Sequence, residues 1–268
     1  MELIDVHAHL MAKHFDDIEA TVNRAKEAGL VKIITAGVDF SSSQEAVQVA
    51  EKYENVFACV GIHPENIEEF DENSLKNAVE SIKNLAKNEK VVAIGEIGLD
   101  YFYLQGKTEE EILNNKKIQK LAFIMQIELA NELNLPIVVH SRDAMGDTLE
   151  ILREHPIKQE SLLHCYSGSI ESARELMKLG FSFSFGGVVT FKNAKNAVNV
   201  VEELPLERIL LETDCPYMSP EPFRGKRNEP KNVAYVADKI AWIKGISMEE
   251  VARVTTENAK RIFKFIEY

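Results

Sequence analysis

Cysteine is scarce in this chain, with only Cys59, Cys165 and Cys215 among 268 residues. An odd number at wide spacing, with no C-x-x-C pair, excludes a disulfide framework and fits a reducing cytoplasm. Positive charge is also in deficit, since 31 Lys+Arg stand against 43 Asp+Glu, a formal net charge of −12. Such a balance excludes a basic coat for long tracts of nucleic acid. Long apolar runs are missing too; none approaches the roughly 18 residues needed to cross a bilayer. The opening Met1-Glu2-Leu3-Ile4-Asp5 carries acids where a secretory leader needs basic residues. A cytoplasmic protein without a membrane partner is therefore expected. No Ser/Gly tether, low-complexity segment or composition shift marks a linker, so a single domain over residues 1–268 is expected. What is present, 45% apolar and 28% charged residues, is the composition of a chain that folds.

Short apolar or β-branched runs alternate with stretches of helical period from end to end. The runs Leu3–Val6, Val31–Ala36, Val56–Val60, Val91–Ile94, Ile137–Val139, Ser161–Leu163, Phe181–Phe185 and Arg208–Leu211 read as strands buried on both faces. Between them the period becomes 3.6, as in Ile18, Val22, Ala25 or Ile118, Ala122, Met125, Leu129, Leu133. Ser42 with Glu45 and Ser247 with Glu250 have capping-box spacing, Gly29 and Gly180 stand where helices should stop, and Pro136 opens the fifth strand. Eight βα units of this kind predict an α/β fold, a (β/α)8 TIM barrel. An open doubly wound sheet obeys the same alternation, although no G-x-G-x-x-G follows the first strand.

Potential metal ligands fall at one place in this pattern. His7 and His9 follow strand one, His63 strand three, Glu96 strand four, His140 strand five, His164 strand six and Asp214 strand eight. In a barrel the C-terminal strand ends form one rim, where barrel enzymes keep their active sites. His7 and His9, two apart in extended backbone, share a face and can reach one ion. Six ligands exceed what one catalytic ion with an open position needs, so two ions are expected, with Glu96 as the bridging carboxylate. Imidazole with carboxylate suits zinc, manganese, iron, cobalt or nickel, and magnesium less well. The chemistry implied is hydrolysis.

The segments Asp5-Val6-His7-Ala8-His9-Leu10, Gly61-Ile62-His63-Pro64, Gly95-Glu96-Ile97-Gly98-Leu99-Asp100-Tyr101, Val139-His140-Ser141-Arg142, His164-Cys165-Tyr166-Ser167-Gly168, Glu212-Thr213-Asp214-Cys215-Pro216-Tyr217 and Phe223-Arg224-Gly225-Lys226-Arg227-Asn228-Glu229-Pro230 together resemble the TatD family of metal-dependent deoxyribonucleases. The resemblance implies an amidohydrolase-like barrel in which His7, His9 and Asp214 hold one ion, His140 and His164 the second, and Glu96 bridges. It implies a phosphodiester substrate at the end of single-stranded DNA, cleaved by a metal-bound hydroxide. Asp214 is expected to take the proton of the attacking water as well as bind metal. His63 is assigned to the scissile phosphate or leaving group, with a structural histidine that supports the ligands as the alternative. Arg142 and Arg224 are assigned to substrate phosphate, with Lys226 or Arg227 paired to Glu229 or another acid.

Asp5 is expected to orient an imidazole, Asp100 to position a loop, and Cys165 and Cys215 to point away from the site as the residues after ligands in extended backbone. His14 and His155 read as solvated. A hydrolase of an aminoacyl ester on tRNA would use the same ligands, and a metal-bearing scaffold without activity is the third alternative. Two ligand carboxylates carry two negative charges and two divalent ions bring four positive, so the rim reverses sign on metal binding. Substrate binding is thus expected to be local, engaging strand ends or short oligonucleotides. A monomer is expected.

Overall fold

The eight runs form one parallel sheet whose strands neighbour one another in sequence order, β1-β2-β3-β4-β5-β6-β7-β8, in the computed structural model, which describes residues 1–265. The strands are β1 Leu3–Ala8, β2 Leu30–Ala36, β3 Val56–Val60, β4 Val91–Asp100, β5 Ile137–Arg142, β6 Ser161–Leu163, β7 Phe181–Phe185 and β8 Ile209–Leu211. The helices are α1 Ile18–Glu27, α2 Phe40–Lys52, α3 Glu72–Leu85, α4 Glu109–Leu133, α5 Met145–Glu154, α6 Ile170–Lys178, α7 Lys195–Glu203, α8 Val233–Lys244 and α9 Met248–Ile262. A sequential order without a switch point excludes the doubly wound sheet and gives the barrel. Its seam is closed just beyond the last strand. Asp214 N–H donates to the carbonyl of His7 at 2.9 Å, and His9 N–H donates to the carbonyl of Cys215 at 2.8 Å.

Side chains sort to two sides of the strands. Leu3, Ile94, Ile97, Ile137, Val139 and Leu163 pack with helix residues such as Val22, Ala46 and Leu75. Ile4, Val6, Ile34, Phe57, Val138, Leu162 and Leu210 fill the barrel instead, with Ala259, Ile262 and Phe263 at the end of α9 packed against them. Phe57 and Phe263 are fully buried, each contributing about 1.5–3 kcal/mol by leaving water. The interior is thus a packed core, with a cluster of histidines and carboxylates above it at the C-terminal mouth.

Two ladder irregularities decide what faces that mouth. Along β4, Ile94 pairs with Ile137 but Ile97 pairs with Val139, so three steps match two. Along β1, Asp5 pairs with Ile33 and Ala8 with Thr35, again three against two. An extra residue reverses the alternation of everything after it. Glu96 and His7 lie at these bulges, and both turn inward.

Six of the nine described helices start on a side-chain cap: α1, α2, α3, α4, α6 and α9. Asp39, not Ser42, caps α2: its carboxylate accepts the Ser42 N–H at 2.7 Å while the Ser42 hydroxyl accepts the Asp39 N–H. The expected Ser42/Glu45 box is overturned because the aspartate starts the helix one turn earlier, and Glu45 accepts the Ala12 N–H instead. Ser247 caps α9 as expected. Gly29 and Gly180 adopt φ of 94° and 87° just past α1 and α6, a region open to glycine at no steric cost. Among the described residues, no helix is long and apolar enough to cross a membrane.

Candidate metal centre

β4 extends to Asp100 and β5 to Arg142, longer than their apolar runs, so Glu96 and His140 lie within strands rather than after them. Their placement is correspondingly rigid. Glu96 stands at the centre of the mouth, with its backbone N–H donating to the Gly37 carbonyl at 3.2 Å. Its Oε2 lies 3.3 Å from His7 Nε2 and 3.7 Å from His9 Nε2. Its Oε1 lies 2.8 Å from His164 Nε2, 3.0 Å from His140 Nδ1 and 3.2 Å from His63 Nε2. Asp214 Oδ1 completes the first group at 3.4 Å from His9 Nε2 and 3.8 Å from His7 Nε2. Asp214 adopts a left-handed φ of 54°, which its short polar side chain tolerates.

The ring nitrogens are prepared for metal by what holds their other side. His9 Nδ1 lies 2.9 Å from the Ala36 carbonyl, which only accepts, so the proton sits on Nδ1 and Nε2 is bare toward the site. His140 Nε2 likewise donates to Asp100 Oδ2 at 2.9 Å, leaving Nδ1 bare. His7 Nε2 and His9 Nε2 stand 3.3 Å apart, as do His140 Nδ1 and His164 Nε2. Two nitrogens at about 2.0–2.1 Å from one tetrahedral ion are separated by about 3.3 Å. The donor set therefore fits two ions, with one oxygen of Glu96 facing each group. The triads His7, His9, Asp214 and His7, Glu96, His164 both have the spacing of metal ligands.

His63 also faces Glu96, within a third such group that includes His140. Its Nδ1 accepts the Glu65 N–H at 3.2 Å, which puts the proton of the neutral ring on Nε2, the nitrogen aimed at the site. Unlike His9 and His140, His63 thus presents a donor rather than a lone pair.

The electrostatics keep the carboxylates ionised. Burial opposes charge on Glu96, yet the imidazoles of His164, His63 and His7 hold it well below the usual range. Burial likewise opposes charge on Asp214, but His9 brings its carboxyl down. Burial and the neighbouring His164 push His7 down, whereas Glu96 and Glu212 overcome burial to carry His164 well above its ordinary value.

Two supporting acids exchange their expected parts. Asp5 orients no imidazole among the described residues; it accepts the backbone N–H of His7 at 3.2 Å and both the N–H and the hydroxyl of Thr213, at 2.9 and 2.5 Å. The β1 bulge between Asp5 and Ala8 puts it out of phase with His7. Asp100 holds the His140 ring and also accepts the Phe102 N–H at 2.9 Å. The signal for it was the motif Leu99-Asp100-Tyr101, which spacing alone did not connect to His140.

A cleft of about 900 Å³ opens over these groups, lined by His9, His63, Glu96, His140, His164 and Asp214 at its base and by Tyr103, Arg142, Cys165, Tyr217 and Met218 higher up. Cys165 corrects an expectation: its φ of 44° breaks the extended backbone assumed for it, and its Sγ meets Met218 Sδ at 3.8 Å in the cleft. Cys215 is fully buried. His14, expected in solvent, lines the cleft near Tyr217, while His155 ends α5 half-buried. Arg142 lies over the Phe102 ring at 3.6 Å. Arg224 lies over Phe191 at 4.3 Å, outside the cleft lining. Arg227 pairs with Asp16, and Glu229 is gripped by Arg24 of α1 through two bonds of 2.8 and 3.0 Å. Lys226 lies near the Phe223 ring.

The chain is matched over residues 4–264 by the family model described as TatD related DNase. It is 47% identical to the uncharacterized metal-dependent hydrolase YabD of Bacillus subtilis over 98% of this chain and 99% of that protein. It is 39% identical to the uncharacterized metal-dependent hydrolase YcfH of Escherichia coli K12 over 98% and 96%. The crystal structure of YJJV, a TatD homologue from E. coli, superposes with a TM-score of 0.87 at 30% identity, covering 98% of both chains. Matched over almost its whole length and carrying two facing groups of imidazole and carboxylate ligands, the chain belongs to the TatD family of metal-dependent hydrolases.

Proposed function

We propose that the protein is a binuclear phosphodiesterase that cleaves nucleotides from the end of single-stranded DNA. The observation that carries this reading is Glu96, whose two oxygens each face a separate set of imidazoles. His7, His9, Asp214 and one Glu96 oxygen would hold the first divalent ion; His140, His164 and the other oxygen would hold the second. Zinc, manganese, cobalt and nickel match this imidazole-rich set better than magnesium does. Two such ions acidify a water, polarise the phosphoryl group and offset charge on the leaving oxygen.

The chain's own groups then divide the proton work. Asp214, kept ionised beside His9, accepts the proton of the attacking water. His63 directs its Nε2 proton toward the leaving oxygen as the P–O bond breaks, giving a phosphomonoester and a free hydroxyl. Arg142, at the cleft wall, presents a guanidinium fork suited to a phosphate. The family description, TatD related DNase, favours DNA as the substrate.

The test is metal-stripped protein reconstituted ion by ion and offered 3′-labelled single strands, 5′-labelled single strands, duplex and a misacylated tRNA. Stepwise release of mononucleotides, lost in Glu96→Ala and Asp214→Asn, is expected. A wild-type protein that deacylates tRNA but shortens no strand with any ion would overturn the reading.

A further inference from the structure

Seven of the nine arginines pair with a carboxylate, as a protein of net charge −12 readily allows. The two that do not, among the described residues, are Arg142 and Arg224. Each lies over a phenylalanine ring, Arg142 over Phe102 and Arg224 over Phe191. Arg142 ends strand β5 and Arg224 lies in the loop after β8, both on the mouth side of the barrel, but they stand at different depths. Arg142 lines the cleft, next to the half-exposed ring of Tyr103. Arg224 does not; it sits on the loop after β8, against the segment that leaves β7 and enters α7, whose Asn193, Ala194, Asn196 and Ala197 form the cleft wall. Thr190 Oγ1 accepts the Glu221 N–H at 2.9 Å, tying those two loops together. Lys192 and Lys195, exposed on the same segment, also have no carboxylate partner among the described residues. The outer edge of this wall is therefore a cationic and aromatic surface on an otherwise acidic molecule.

Unpaired guanidinium over a partly exposed ring is what a polyanion with stacking bases recognises: the cation meets phosphate and the ring meets a base face. We propose that Phe191 and Arg224, with Lys192 and Lys195 beside them, form a second binding site that holds the part of a single strand lying outside the cleft. The inference rests on the nuclease reading of the metal centre and adds a length requirement to it. Arg142 serves the nucleotide at the metal centre whatever the strand length. Arg224 serves only strands long enough to leave the cleft over the β7–α7 wall. A paired base offers no free face to Phe191, so this site discriminates against duplex.

The test uses the metal-reconstituted protein with deoxyoligonucleotides of identical end sequence and 2, 4, 8 or 16 nucleotides. In Arg224→Gln and Phe191→Leu the loss in kcat/KM is expected to grow with length, from less than about twofold on the dinucleotide to about fivefold or more on the 16-mer. The slope of log KM against log salt for the 16-mer should fall by about 0.7 in Arg224→Gln, the share of one phosphate contact on a single strand. Arg142→Gln should lose activity equally at every length. A loss in Arg224→Gln independent of length, or no loss, overturns the proposal. If wild-type protein cleaves none of these strands, the nuclease reading fails on its own. The second site is then judged by fluorescence anisotropy of a labelled 16-mer, and equal affinity of wild type and Arg224→Gln overturns it.

Discussion

The backbone N–H of Asp214 donates to the carbonyl of His7, and the side chains of the same two residues face each other at 3.8 Å in the metal centre. The closure of the barrel and the assembly of the first ligand group are therefore one event. Asp5 reinforces it by accepting from the backbone on both sides of the seam, at His7 and at Thr213.

Asp100 fixes the tautomer of His140, so its removal should act on one ion rather than both. Asp100→Ala is expected to weaken the second ion by about 10–100-fold and leave the first within a few-fold. Calorimetric titration of stripped protein with zinc reads the two affinities separately. Equal weakening of both ions would contradict this assignment.

His63 presents a donor nitrogen, not a lone pair, and its replacement should separate metal binding from turnover. His63→Gln is expected to retain two ions per chain by elemental analysis while kcat falls about 10²–10⁴-fold. Loss of one ion with the activity would instead make His63 a ligand.

Gly98 lies opposite His140 in the β4–β5 ladder with φ of 137°, and a Cβ there would stand 2.0 Å from the His140 carbonyl oxygen. A backbone oxygen within a ladder has nowhere to go. Gly98→Ala should lower stability by about 2–4 kcal/mol in urea unfolding and move His140 away from Glu96. A variant of unchanged midpoint and metal affinity would show that the strand yields.

Glu160 accepts from Arg208, Arg261 and the Ser182 hydroxyl, each at 2.9 Å, and although burial opposes its charge, Arg261 and Ser182 bring its carboxyl below the usual range. A carboxyl lowered in the folded state stabilises above its unfolded value of about 4.3 and loses that contribution as pH falls through the folded value. Glu160→Gln should therefore cost about 1–2 kcal/mol at pH 7. The difference from wild type should shrink as denaturation is repeated at pH 4 and then pH 3. A constant difference would assign the effect to packing rather than charge.

The barrel was legible, and with it the rim of strand ends that carries the groups around its mouth, because both rest on local rules. Strands β5 and β6 carry no bulge, so counting from Ile137 and Ser161 puts His140 and His164 inward without further information. Counting fails where backbone departs from extended repeat. The bulge in β1 separated Asp5 from His7, and the left-handed Cys165 turned a thiol into the cleft. Partners far apart in sequence, such as Arg24 with Glu229, follow from how α1 lies against the loop after β8, which no spacing encodes.

The two bulges have a price in regularity that fixes what this barrel can be. Leu3 and Ile94 face the helices, and by strict alternation His7, His9 and Glu96 would face them too. Straightening both strands into unbroken alternation with every residue kept would bury these three ionisable groups in the apolar layer between strands and helices. Reactivity in this molecule is thus lodged in two miscounted strands, and a more regular barrel would be both unstable and inert.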